Sequence, residues 1–82
     1  MVSGMADDRR EALPPYLRIA ASLRERIERG ELRPGDMLPS ITRISQEEGV
    51  SKGTAVKALE VLRREGLTYA IQGWGTFVSD RP

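Results

Sequence analysis

Three runs of apolar residues at helical spacing are joined, between the second and third, by a three-residue link containing glycine, and two β-rich runs close the chain around a glycine-containing turn. Together these predict a small α+β domain, the winged helix-turn-helix. The implied order is a helix, a short strand, two more helices and a C-terminal two-stranded wing. Eighty-two residues leave room for one such domain. It is expected at residues 14–79, between a disordered tail at 1–13 and a C-terminal tail at 80–82.

The first helix enters through Pro14-Pro15, with Pro15 suited to a first turn. Tyr16, Ile19, Ala20, Leu23 and Ile27 then share one helical face, and Gly30 closes it. Residues 30–39 form a connector with a Pro34-Gly35 turn, in which Met37-Leu38 has length only for a very short strand. Ser40 is the N-cap of a short helix through Glu48, with Ile41, Ile44 and Ser45 facing inward and Gly49 as its stop. Ser51 caps the third helix, whose inner stripe is Ala55, Ala58, Leu59 and Leu62 and which ends at Gly66. Beyond it the period drops to two. Leu67, Tyr69 and Ile71 alternate with Thr68 and Ala70, residues 72–75 turn, and Thr76–Ser79 returns. The expected core adds Leu32, Leu38, Val50, Phe77 and Val78 to these inward positions, with Ile41 and Ile71 among them.

Composition removes whole classes of chemistry. The chain has no Cys and no His, which excludes disulfides, thiolate metal sites, the commonest metal ligand and the commonest general base. No Ser or Lys has a base beside it at a recognisable spacing, so an enzyme is not expected, nor a metal or cofactor. No apolar run approaches the ~20 residues that span a bilayer, and MVSGMADDRR is too polar and acidic for a signal peptide. A cytoplasmic module without a membrane partner is expected. Thirteen Lys+Arg against twelve Asp+Glu give a net charge of +1, so attraction to a polyanion must come from where charges sit.

Four fragments carry a family resemblance. Gly30-Glu31-Leu32-Arg33-Pro34-Gly35-Asp36-Met37-Leu38-Pro39-Ser40, then Gly49-Val50-Ser51-Lys52 with Ala58-Leu59, then Glu65-Gly66-Leu67, and finally Gln72-Gly73-Trp74-Gly75-Thr76-Phe77-Val78 stand in the order and spacing of GntR-family transcriptional regulators. The chain resembles the N-terminal DNA-binding head of that family over about residues 14–78. The resemblance implies sequence-specific binding of double-stranded DNA, with the helix from Ser51 in the major groove and the hairpin tip toward the minor groove. For such a DNA-binding head a palindromic operator read by two copies and a place on the nucleoid are expected, and with no evident dimerisation element a homodimer is expected to form only on DNA. Members usually carry a larger C-terminal domain that binds a small-molecule effector. No effector domain is expected in this chain, which reads either as an excised head or as a short member.

The residues expected at the DNA are Ser40, Thr42, Arg43, Ser51, Lys52, Gly53, Thr54, Val56, Lys57, Gln72, Gly73 and Trp74. Ser40 and Ser51 start helices, whose unpaired N–H groups and partial positive charge suit a phosphate; simple capping explains the same serines. On the third helix the side opposite the apolar stripe carries Lys52, Gly53, Val56 and Lys57, with Thr54 at its edge. Lys donates to guanine or phosphate, and Thr to bases or backbone. Arg18, Arg24 and Arg43 either reach flanking phosphates or are solvated or paired at the surface. Two departures from the family stand out: Thr42 and Val56 occupy positions commonly Arg, and the wing from Tyr69 to Trp74 has no cation where the family's is commonly basic. Weak non-specific binding follows, since each phosphate contact contributes ~0.9 to the salt slope. Val56 then either meets a thymine C5-methyl or packs on the preceding helix. Trp74 lies on sugar and backbone, covers a protein partner, or folds back over Tyr69 and Ile71. The competing function is a winged-helix protein-docking module, which an uncharged, tryptophan-tipped wing also suits.

Overall fold

A computed structural model describes residues 13–80; the tail residues before and after this span lie outside it. Within it, α1 (Pro15–Glu28), α2 (Ile41–Glu48) and α3 (Lys52–Arg64) precede a hairpin of β1 (Thr68–Ile71) and β2 (Gly75–Val78). This is the expected winged helix-turn-helix.

Each helix starts and stops where its sequence dictates. Pro15 takes the first position of α1, and the Pro14 carbonyl accepts from the N–H groups of Leu17 and Arg18. Ser40 and Ser51 cap α2 and α3 by accepting from the N–H of Arg43 (3.0 Å) and Thr54 (3.1 Å). Gly49 ends α2 at φ +67°, a conformation costly for any residue with a Cβ. The chain therefore turns sharply, and the Ser45 hydroxyl pins the turn by donating to the Val50 carbonyl.

The core gathers around α3. Ala55, Ala58 and Leu62 have no exposed surface, and Ile19, Ala20 and Leu23 of α1 and Ile44 of α2 are buried with them. Because two of the α3 contact residues are alanines, neighbouring helices can approach closely. Arg24 of α1 clamps this packing at the end of α3 with a bidentate pair to Glu65, at 2.9 and 2.7 Å. That hydrogen bond and the carboxylate's charge raise the affinity of the Arg24 guanidinium for its proton.

Three expectations need correction. Met37-Leu38 is not a strand; Met37 makes only an isolated antiparallel bridge to Phe77. The connector nonetheless runs along β2, with Gly35 N–H to Val78 O, Val78 N–H to Asp36 O and Leu38 N–H to Thr76 O at 2.8–2.9 Å. Ile41 is 37% exposed rather than inward, because at the first position of α2 it lies beyond the wall that Ile44 fills. The hairpin also presents the opposite face to the core. Thr68, paired with Val78, is buried, whereas Tyr69 and Ile71 are 41% and 43% exposed. Leu67 leaves the helix as half-buried turn, so alternation starts one residue later than the apolar pattern suggests. Tyr69 instead stacks on Phe77 across the strands, ring centroids 5.8 Å apart.

This register leaves the Thr68 hydroxyl buried with no hydrogen-bond partner among the described residues. A buried hydroxyl in that state costs about 1–3 kcal/mol, and valine has the same shape without it. Thr68→Val is therefore expected to raise stability by about 1 kcal/mol, seen as a higher urea midpoint at unchanged m-value. An unchanged or lower midpoint would show that the hydroxyl is satisfied after all.

Candidate nucleic-acid interface

Because α3 buries the stripe 55/58/59/62, its opposite side must face solvent. Lys52, Gly53, Val56 and Lys57 are all exposed, and Thr54 is half-buried at the edge. Gly53 is bare as well as exposed: a Cβ there would meet only the Ser51 Oγ, at 3.8 Å. The result is a convex ridge with no side chain at Gly53, so a partner could reach the helix backbone there.

The two capped N-termini have the same arrangement. In each, the cap carbonyl takes the fourth N–H of the helix (Ile44 at 2.8 Å, Ala55 at 3.1 Å) and the cap hydroxyl takes the third. The first two N–H groups, those of Ile41 and Thr42 and those of Lys52 and Gly53, precede any intrahelical acceptor and point out of the helix end. The Ser51 hydroxyl also donates to Thr54 Oγ1 (3.0 Å), which fixes that rotamer and leaves the Thr54 O–H able to donate outward. Partial positive charge and free donors at both ends suit an anion.

The cations are less available than their number suggests. Arg43 donates to Glu47 one turn along α2 at 2.8 Å, which also strengthens its hold on its proton. Lys57 sits over the Tyr16 ring of α1, 5.6 Å from its centroid, a cation–π contact that draws it to one flank of the ridge. Arg24 is committed to Glu65. Lys52 and Arg18 are exposed.

At the hairpin end, Gln72, Gly73 and Trp74 form the turn, closed by the Trp74 N–H to the Ile71 carbonyl at 2.9 Å. Gly73 and Gly75 have φ of +82° and +139°, which lets so tight a loop form. Trp74 is 73% exposed, so it does not fold back over Tyr69 and Ile71. Between the wing and α3 lies a shallow groove of about 210 Å3, lined by Ile41, Val56, Leu59, Glu60, Arg63, Ala70 and Thr76. Val56 thus stays partly exposed, at 36%, and also borders Ile41 of the preceding helix. The groove escapes a reading of the sequence, because it depends on which face of the hairpin turns inward.

No helix of the described residues is long and apolar enough to cross a membrane, and none of their Asp and Glu side chains cluster in a way that could hold a metal ion.

A sequence profile of bacterial regulatory proteins of the gntR family matches residues 15–78. The chain is 45% identical over 67 residues to the mannosyl-D-glycerate transport/metabolism system repressor MngR of Escherichia coli (strain K12), covering 82% of this chain and 28% of that protein. It is 39% identical over 72 residues to the HTH-type transcriptional repressor NagR of Bacillus subtilis (strain 168), covering 88% and 30%. The chain thus spans less than a third of these two curated relatives. Among solved structures, AraR(DBD) in complex with operator ORE1 superposes with a TM-score of 0.79 at 36% identity, covering 82% of each chain. The chain belongs to the GntR family of bacterial regulatory proteins.

Proposed function

We propose that this chain is the sequence-specific DNA-binding head of a bacterial transcriptional regulator. On this reading the ridge of α3 enters the major groove, Ser40, Thr42 and Ser51 bring two helix N-termini to flanking phosphates, and Gln72, Gly73 and Trp74 reach toward the minor groove. The observation that carries it is the bare ridge at Gly53 in the first turn of α3, exposed beside that helix's capped N-terminus. The similarity to a domain solved on its operator supports the same partner. Two heads would read a palindromic site, pairing as a homodimer on the duplex, in a regulator that acts in the cytoplasm without catalysis. The competing reading, a protein-docking module, has one favourable observation, the exposed Trp74. Salt dependence separates the two, because releasing counterions from DNA steepens it and docking on a neutral surface does not.

The test is selection of binding sites from a random duplex pool, followed by titration of the recovered site at two salt concentrations. Lys52→Ala is expected to weaken binding and lower the salt slope by about 0.9 for each copy bound. Trp74 is the sole tryptophan, so its fluorescence should change on adding duplex if the wing reaches the DNA. Slopes near zero for parent and variant would favour docking on protein.

Gly53→Ala separates stability from recognition. The site has space for a methyl and ordinary helical geometry, so the variant is expected to be more stable by about 0.5–1 kcal/mol in urea. The same methyl would hold the ridge off the duplex, so operator affinity should fall. A variant that gains stability and binds like the parent would remove this turn of α3 from the interface.

A further inference from the structure

Resting on the DNA-binding reading, we propose that Val56 and Ile41 act as an apolar pair that reads the C5-methyl group of thymine. Single exposed apolar side chains are ordinary on protein surfaces, but these two come from different helices and line one open groove. Val56 is 36% and Ile41 37% exposed, and Leu59 and Ala70 line the same groove. The groove's two charged residues, Glu60 and Arg63, oppose one another in sign, so it exerts no net pull on a phosphate. Its chemical offer is apolar surface.

The surroundings decide what passes over that surface. Ile41 is the first residue of α2 and Val56 stands one turn into α3, so each belongs to a helix whose N-terminus suits a phosphate. With phosphates held there, the groove faces base edges. Gly53 lies three residues before Val56 and carries no side chain, so that position in the preceding turn leaves the valine methyls uncovered. Among the groups that base pairs show in the major groove, the thymine methyl is the apolar one. A guanine, adenine or cytosine edge pressed there would lose water and gain no partner. The pair therefore selects by attraction for the methyl and by exclusion of polar edges.

The experiment takes the site recovered by selection and replaces its thymines one at a time with deoxyuridine, which keeps the pairing and the O4 acceptor but lacks the methyl. For the parent chain, one or two positions in each half-site should lose affinity by about fourfold per methyl. Val56→Ala should bind the thymine and deoxyuridine duplexes alike at those positions, and Ile41→Ala should narrow the difference. Both side chains are surface-exposed, and helix content by circular dichroism verifies that the variants fold. Equal binding of the parent to every deoxyuridine duplex would overturn the proposal and leave DNA binding intact. So would methyl sensitivity that survives in Val56→Ala. Recovery of no site at all would overturn the DNA-binding reading and this proposal with it.

Discussion

The close packing of α1 and α2 on the small-residue stripe of α3 sets the rest of the structure. Ala55 and Ala58 have no exposed surface and nothing beyond a methyl to place, so neighbouring helices can approach closely and the contact tolerates little added volume. Once that side is fixed, the rotation of α3 about its own axis is fixed too. The outward ridge at Lys52, Gly53, Val56 and Lys57 then follows from geometry, since a helix has only one side opposite its buried one. The Arg24–Glu65 pair adds little energy, being partly solvated, but it ties the far end of α3 to α1 in the same rotation.

The wing depends on this frame through a connector that hydrogen-bonds as a strand without being one. Three backbone hydrogen bonds link residues 35–38 to β2, so the two-stranded hairpin is held as if by a third strand. A two-stranded hairpin alone is marginal in water, and this support gives the wing a definite position. Thr68 and Val78 then turn to the core, and Ala70 and Thr76, on the same face further along, look toward α3 across the groove. Tyr69, Phe77 and Met37 are left on the outer side, where the ring stack and the Met37–Phe77 bridge stiffen the hairpin.

Local chemistry explains which parts of this were legible in the sequence. Proline at a first turn, serine at two caps and glycine at the helix stops act within a few residues, so helix limits and the helix-turn-helix link could be read directly. The inner stripe of α3 was equally plain, because four apolar residues at 3.6 periodicity leave one solution. The hairpin face was not. Leu67, Tyr69 and Ile71 carry the larger apolar side chains, yet Leu67 is used up by the helix exit, and the two-residue period then sends Thr68 inward. A one-residue offset of that kind comes from tertiary contacts with α3 and the connector, which alternation alone does not encode. Ile41 misled for a related reason: a first-turn position has the right residue type but projects past the core. The groove that Ile41 shares with Val56 was hidden behind both errors.

Charge accounting sharpens what kind of binder such a head would be. Arg24, Arg26, Arg29 and Arg43 all stand in ion pairs with glutamates at the end of α3, in the connector or in α2. Exposed pairs of this sort contribute little to stability, yet each lowers the positive field its arginine presents. Lys57 is drawn toward Tyr16, and β1, β2 and the turn between them carry no charged side chain. Non-specific attraction to a duplex scales with phosphates neutralised, and here few cations face the proposed interface. Helix N-termini, a bare glycine and an apolar groove act only at contact distance and only in one register. On the proposed reading, such a head would discriminate between sequences through close fit more than through long-range charge, and its specific and non-specific affinities would be well separated even though neither is high.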